Sequence, residues 1–135
     1  MTIHELQNEY VQDLIGLKDW FSQYEFLIEL AGAMEVMDDE DKNEDTRLKG
    51  CQTNAWLAYE YDDGKLYFQA DSDALIVKGI LGMLTDILSD RTPEEILNAE
   101  LFVLQKSGIG ANLTQGRANG IQSAIGRIHE IAREV

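Results

Sequence analysis

The sequence is poor in cysteine, proline, histidine and positive charge, with one cysteine, one proline, two histidines and 11 Lys+Arg against 25 Asp+Glu. Each shortage excludes something. The lone Cys51 cannot close an internal disulfide, and no charged-then-apolar N-terminal segment resembles a secretory signal, so the expected setting is reducing and cytoplasmic. A formal charge of −14 opposes binding to a phosphate backbone, where affinity comes from Lys and Arg displacing counterions. No nucleic acid or anionic membrane is expected as a partner. The longest strongly apolar stretch, Ala74 to Leu88, is interrupted by Lys78, Thr85 and Asp86 and is too short to span a bilayer. His4 and His129 stand alone on expected helices, read as solvent-facing, and no His/Cys/Asp spacing makes a zinc box. Repeats and linkers are absent.

What is present suits a folded chain. With 135 residues, 44% of them hydrophobic, there is room for one domain over residues 1–135 with a single core, and the acidic balance alone does not make it disordered. Two helices are expected first, Ile3 to Ile15 and Lys18 to Met37, parted near Gly16. In the second, Trp20, Tyr24, Leu27, Ala31 and Met34 recur at helical spacing, with Phe21 and Ile28 widening the stripe. Asp38 to Asp45 then carries six acids and one lysine without an apolar side chain, which reads as a solvated, mobile connector or as a docking patch for a basic partner.

A hairpin follows, and its register can be derived. Asp63-Gly64 fits a two-residue type I′ turn, because Gly accepts positive φ without a Cβ clash. Asp62 then faces Lys65, Tyr61 faces Leu66, Tyr59 faces Phe68 and Leu57 faces Ala70, the last three pairs on the core face. A two-stranded ribbon is marginal alone, so Thr46 to Lys49 is the expected third strand. Ser72 is positioned to cap a helix starting at Asp73, with Gly79 and Gly82 marking close backbone packing. Thr92-Pro93-Glu94-Glu95 reads as a capping box with proline at the first helical position. A short helical run ends near Gly108, Gly108-Ile109-Gly110 is a turn, and the last helix starts near Thr114 with Ile121, Ile125, Ile128, Ala132 and Val135 on one face. The fold class is α+β: a small antiparallel three-stranded sheet in mid-chain packed against helices from both ends.

Cys51 is the residue with chemistry to offer. Between Gly50 and Gln52, with Arg47 and Lys49 upstream, it is either a small buried hydrophobe or a thiol presented at a loop tip. Lys49 brings positive charge beside it and the acidic run brings negative charge.

Lys49-Gly50-Cys51-Gln52-Thr53 with Trp56, then Ala70-Asp71-Ser72-Asp73-Ala74 leading to Lys78-Gly79, then Thr92 to Ile96, then Arg117-Ala118-Asn119-Gly120, closely resemble the SufE family of sulfur-acceptor proteins in motif and order. Thr53 stands where Ser is usual, Asn54-Ala55 replaces a more apolar pair, and the loop before Cys51 lacks the relatives' prolines. The resemblance implies a SufE/IscU-like fold and a persulfide-carrying accessory protein rather than an independent enzyme. It would take sulfur onto Cys51 from a cysteine desulfurase of the SufS/CsdA kind and deliver it to an iron–sulfur scaffold of the SufBCD kind. The desulfurase uses pyridoxal phosphate; the acceptor has no cofactor of its own. The resemblance also implies a cysteine loop folded at rest against the hairpin, the Ser72 helix and the last helix.

Gly50, Gln52, Asp71, Asp73, Arg117 and Asn119 are candidates for positioning that loop or touching the partner. Helix capping is the plainer alternative for Asp71 and Asp73, and for Arg117 an ion pair to either of them. The alternative function is a regulatory subunit that docks on an enzyme with Cys51 merely structural. An iron–sulfur scaffold is disfavoured, since clusters are held by several thiolates or imidazoles. Monomer and homodimer are both compatible with the sequence.

Overall fold

A computed structural model describes residues 1–135 and begins with a helix closed by a capping box. Thr2 accepts from the Glu5 N–H at 3.0 Å while the Glu5 carboxylate accepts from the Thr2 N–H at 2.9 Å, starting α1 (Ile3–Leu17). The break to α2 (Trp20–Ala33) falls at Lys18, which takes the left-handed conformation, with Asp19 capping the second helix; Gly16 itself stays helical. On α2 Leu27 and Ala31 of the expected stripe are buried and Trp20 and Met34 pack partly buried against the core, but Gln23 joins the buried face while Phe21 and Tyr24 are exposed. The helix ends at Ala33 rather than Met37. Met34 is extended and Met37 buried, while Val36 offers its carbonyl to Gln69 Nε2 at 3.1 Å, so this segment runs beside the hairpin.

The hairpin β1 (Ala55–Asp62) and β2 (Lys65–Ser72) has the derived register, from Asp62↔Lys65 through Leu57↔Ala70 to Ala55↔Ser72. Asp63 and Gly64 both have positive φ, as a type I′ turn requires. Leu57, Leu66 and Ala70 are buried, whereas Tyr59 and Tyr61, expected on the same core face, are half exposed.

The sheet has two strands, not three. Thr46 to Lys49 contributes only the Arg47↔Trp56 bridge, with Leu48 N–H donating to Ala55 O and Leu57 N–H to Thr46 O, each at 2.8 Å. Upstream, Thr46 and Arg47 fold back onto the Asn43 carbonyl, and downstream Gly50 turns with φ +74, so neither end can extend the ladder. A matching Leu66↔Arg91 bridge covers the other edge.

The helix after the hairpin, α3 (Leu75–Leu88), is the centre of the core, with ten buried residues and contacts to α1, α2, β2 and the last helix. It starts two residues later than expected and without a side-chain cap. The strand ladder holds Ser72, whose hydroxyl donates to Asn54 O at 2.9 Å and accepts from the Ala74 N–H at 3.2 Å. Gly79 meets the Leu27 backbone and Gly82 the Met34 thioether, so packing is close at both glycines.

Short helices α4 (Pro93–Asn98), with its Thr92–Glu95 capping box, and α5 (Val103–Ser107) lead to α6 (Gln115–Glu134), capped by Thr114. The buried face of α6 is Gly120, Ile121, Ala124, Ile128, Ile131 and Ala132; Ile125 is half-buried and Val135 exposed. Fully buried Gln7 joins α1 to the α4–α5 link, donating to Glu100 O and accepting from the Phe102 and Val103 N–H groups. His4 is exposed as expected, but His129 is half-buried, and burial followed by nearby Arg133 lowers its pKa. No helix is long and apolar enough to cross a membrane.

Candidate functional site

The Arg47↔Trp56 bridge closes residues 48–55 into a loop rooted on the sheet edge. Leu48 is buried at one root. At the other, Asn54 is held on three sides: its amide donates to Asp73 Oδ2 at 2.9 Å, and its carbonyl accepts from the Ser72 hydroxyl and the Asp73 N–H. Gly50 makes the turn that brings Cys51 inward, where the thiol is half-buried against the edge of the core. Cys51 Sγ lies 3.7 Å from Thr53 Oγ1, either atom able to donate. A hydroxyl at that place can donate to the sulfur when it is a thiolate. Between the roots, residues 49–53 make no hydrogen bond to the rest of the protein.

The loop lies on the N-terminal turns of α6. An added Cβ at Gly116 would collide with the Gln52 carboxamide, and one at Gly120 would collide with Cys51 Sγ. The last helix is thus one wall of the site, with Gly50 and Gln52 in the loop itself.

Asp71 is buried beside the root of the loop and pairs with two lysines, Lys42 Nζ at 2.7 Å and Lys78 Nζ at 3.3 Å. Its own backbone neighbour Ser72 also donates to it at 2.8 Å. Burial pushes the Asp71 carboxyl upward, but the hydrogen bonds from Lys42, Ser72 and Lys78 outweigh it and hold the group below the usual carboxylate range. Lys42 also sits over the Trp56 ring, 5.4 Å from its centroid. The acidic segment is therefore a folded turn rather than a free connector: its one lysine points inward, Thr46 Oγ1 donates to Asp41 O at 2.6 Å, and Asp39 and Glu44 face solvent.

Asp71 and Asp73 thus both stand at the loop root, one in an ion-pair cluster and one on Asn54, and neither caps α3. Arg117 pairs with neither; it makes no ion pair, and its backbone N–H donates to the Thr114 cap at 3.3 Å. Asn119 is exposed and accepts from Gln115 Nε2 at 2.8 Å. Sequence reasoning missed Lys42 and Gly116 as parts of the site and did not pair Lys78 with Asp71. The four-residue spacing of Gly116 and Gly120, which puts both on one helix face, was the available signal. No group of three or more His, Cys, Asp or Glu side chains is placed to hold a metal ion.

The SufE family model, described as an Fe-S metabolism associated domain, matches residues 8–132. An uncharacterized SufE-like protein of Rhizobium etli is 29% identical over 131 residues, covering 93% of this chain and 88% of that one. The solution structure of a hypothetical protein from Thermus thermophilus superposes with a TM-score of 0.73 at 22% identity over 93% of each chain, a likeness of fold.

Proposed function

The chain belongs to the SufE family of Fe-S metabolism associated domains, and from that premise we propose that it is a sulfur acceptor whose working atom is Cys51 Sγ. The Cys51 thiolate attacks the terminal sulfur of a persulfide held on a cysteine desulfurase. The bond between that sulfur and the desulfurase cysteine breaks, the desulfurase leaves as a thiolate, and a persulfide remains on Cys51. One sulfur–sulfur bond forms as another breaks, so no external oxidant or reductant is needed. The persulfide is then passed on toward iron–sulfur cluster assembly.

The observation that carries this reading is the placement of the chain's one thiol on a loop anchored at both roots and unbonded between them. A tethered loop can move its tip several ångströms without disturbing the sheet, which a cysteine within a strand or helix cannot do. Having no second thiol also matters, because a resolving cysteine in this chain would attack the persulfide and release the sulfur.

The half-burial of Cys51 favours one competing reading, a docking subunit in which the cysteine only packs. Cys51→Ser separates the two. Under the acceptor reading the variant stays folded but no longer stimulates sulfide release by a desulfurase supplied with cysteine; undiminished stimulation would leave only the docking role.

A further inference from the structure

We infer that Gly116 and Gly120 form the seat that holds the Cys51 loop closed, and that the missing side chain at Gly120 sets how accessible the thiol is at rest. Glycine inside a helix is unfavourable for backbone entropy, and neither residue has the positive φ that would require it. The reason is space. A Cβ at Gly116 would stand 2.8 Å from Gln52 Cβ and Cδ, and one at Gly120 3.2 Å from Cys51 Cβ and nearer still to its sulfur. Two glycines one turn apart thus receive two consecutive side chains of the same loop.

Since residues 49–53 have no hydrogen bond to the rest of the protein, these packing contacts and the edge of the core are what retain the loop tip. At Gly120 the obstructed atoms belong to the Cys51 side chain, and the nearest loop backbone atom, Cys51 Cα, is 3.7 Å away. An alanine there drives the Cys51 side chain, and with it the thiol, out of the seat while leaving the body of the fold in place. Gly126, further along the same helix, faces open space and is the natural control. The consequence for sulfur uptake, that an unseated loop offers its thiol without help from a partner, rests on the acceptor reading; the seat itself does not.

The test is the rate of Cys51 alkylation by iodoacetamide in the free protein, with folding followed by circular dichroism. Gly120→Ala should raise the rate by about tenfold or more, because attack then samples an open loop rather than a rare opening. Gly116→Ala should raise it less, and Gly126→Ala should leave it unchanged. A Gly120→Ala protein that is folded and alkylates at the wild-type rate would overturn the inference. If Gly120→Ala instead unfolds, adding Cys51→Ala should restore the fold by removing the sulfur from the collision, and a double variant as unstable as the single one would overturn it equally. Wild-type protein that takes up no sulfur from a desulfurase, beside faster alkylation in Gly120→Ala, would refute the acceptor reading and keep the seat.

Discussion

Replacing Gly79 with alanine drives a methyl carbon into the backbone of Leu27, 2.7 Å from its carbonyl carbon and closer to its carbonyl oxygen. Carbon atoms pack at about 3.5–4.0 Å, so α3 must retreat from α2 by roughly 1 Å at its most buried point. Overpacking of this kind costs about 1–3 kcal/mol, and the upper end applies because the obstacle is helix backbone, which has no rotamer to escape into. Alanine recovers about 1 kcal/mol of helix propensity, leaving a net loss of roughly 2 kcal/mol. At the usual unfolding entropy per residue, a chain of this length loses about 3.5 °C per kcal/mol, or roughly 7 °C. Gly126→Ala supplies the control, since nothing lies within 4 Å of its Cβ. It should gain about 0.5–1 kcal/mol from propensity alone. Urea titration with thermal melts measures both. Equal stabilities for the two variants, or a Gly79→Ala protein as stable as wild type, would refute the packing argument.

Other expectations follow from single contacts. Gln7→Ala strands the buried N–H groups of Phe102 and Val103 and should cost roughly 2–4 kcal/mol in chemical denaturation. Asp71→Asn leaves Lys42 and Lys78 without their shared carboxylate and should lower the melting temperature by a few degrees at neutral pH. Because the folded pKa of Asp71 is depressed, its stabilisation is fully present above the ordinary value of 3.8 and is lost as pH falls through the lower folded value. The gap between wild type and Asp71→Asn should therefore be constant near neutrality and close in strong acid; a gap independent of pH would contradict the ion-pair assignment. Neutralising Asp39 and Glu44, which face solvent, should slow association with a desulfurase at low salt if the acidic turn steers a basic partner, and an unchanged rate would show that it serves solubility.

Local chemistry made some elements legible and left others hidden. The hairpin could be read to the residue because Asp63-Gly64 permits one turn type and period-two alternation then sets every pair. Thr92 to Glu95 was legible for the same reason, a cap and its reply lying within one turn. Ser72 carried an equally good capping signal, yet the ladder to Ala55 claimed it, and a single residue's propensity cannot report which neighbour wins. The third strand failed because pairing depends on the path of the chain beyond it, which Asn43 and Gly50 bend away. Cys51 stood out by its motif, and the last helix was expected as one wall of its resting place, but the glycines that receive the loop there, Gly116 and Gly120, did not stand out. Nor did the partners of Asp71: Arg117 looked suitable by charge, whereas topology supplies Lys42 from the acidic turn and Lys78 from α3. Long-range ion pairs of this sort leave no periodic trace in a single sequence.

The acceptor role is tested most directly by intact-protein mass spectrometry after incubation with a cysteine desulfurase and free cysteine. The expected result is a mass increase of one sulfur atom, mapped to Cys51 by proteolysis, removed by reductant and absent from Cys51→Ser. An unmodified mass, under conditions where the desulfurase itself is loaded with persulfide, would contradict it.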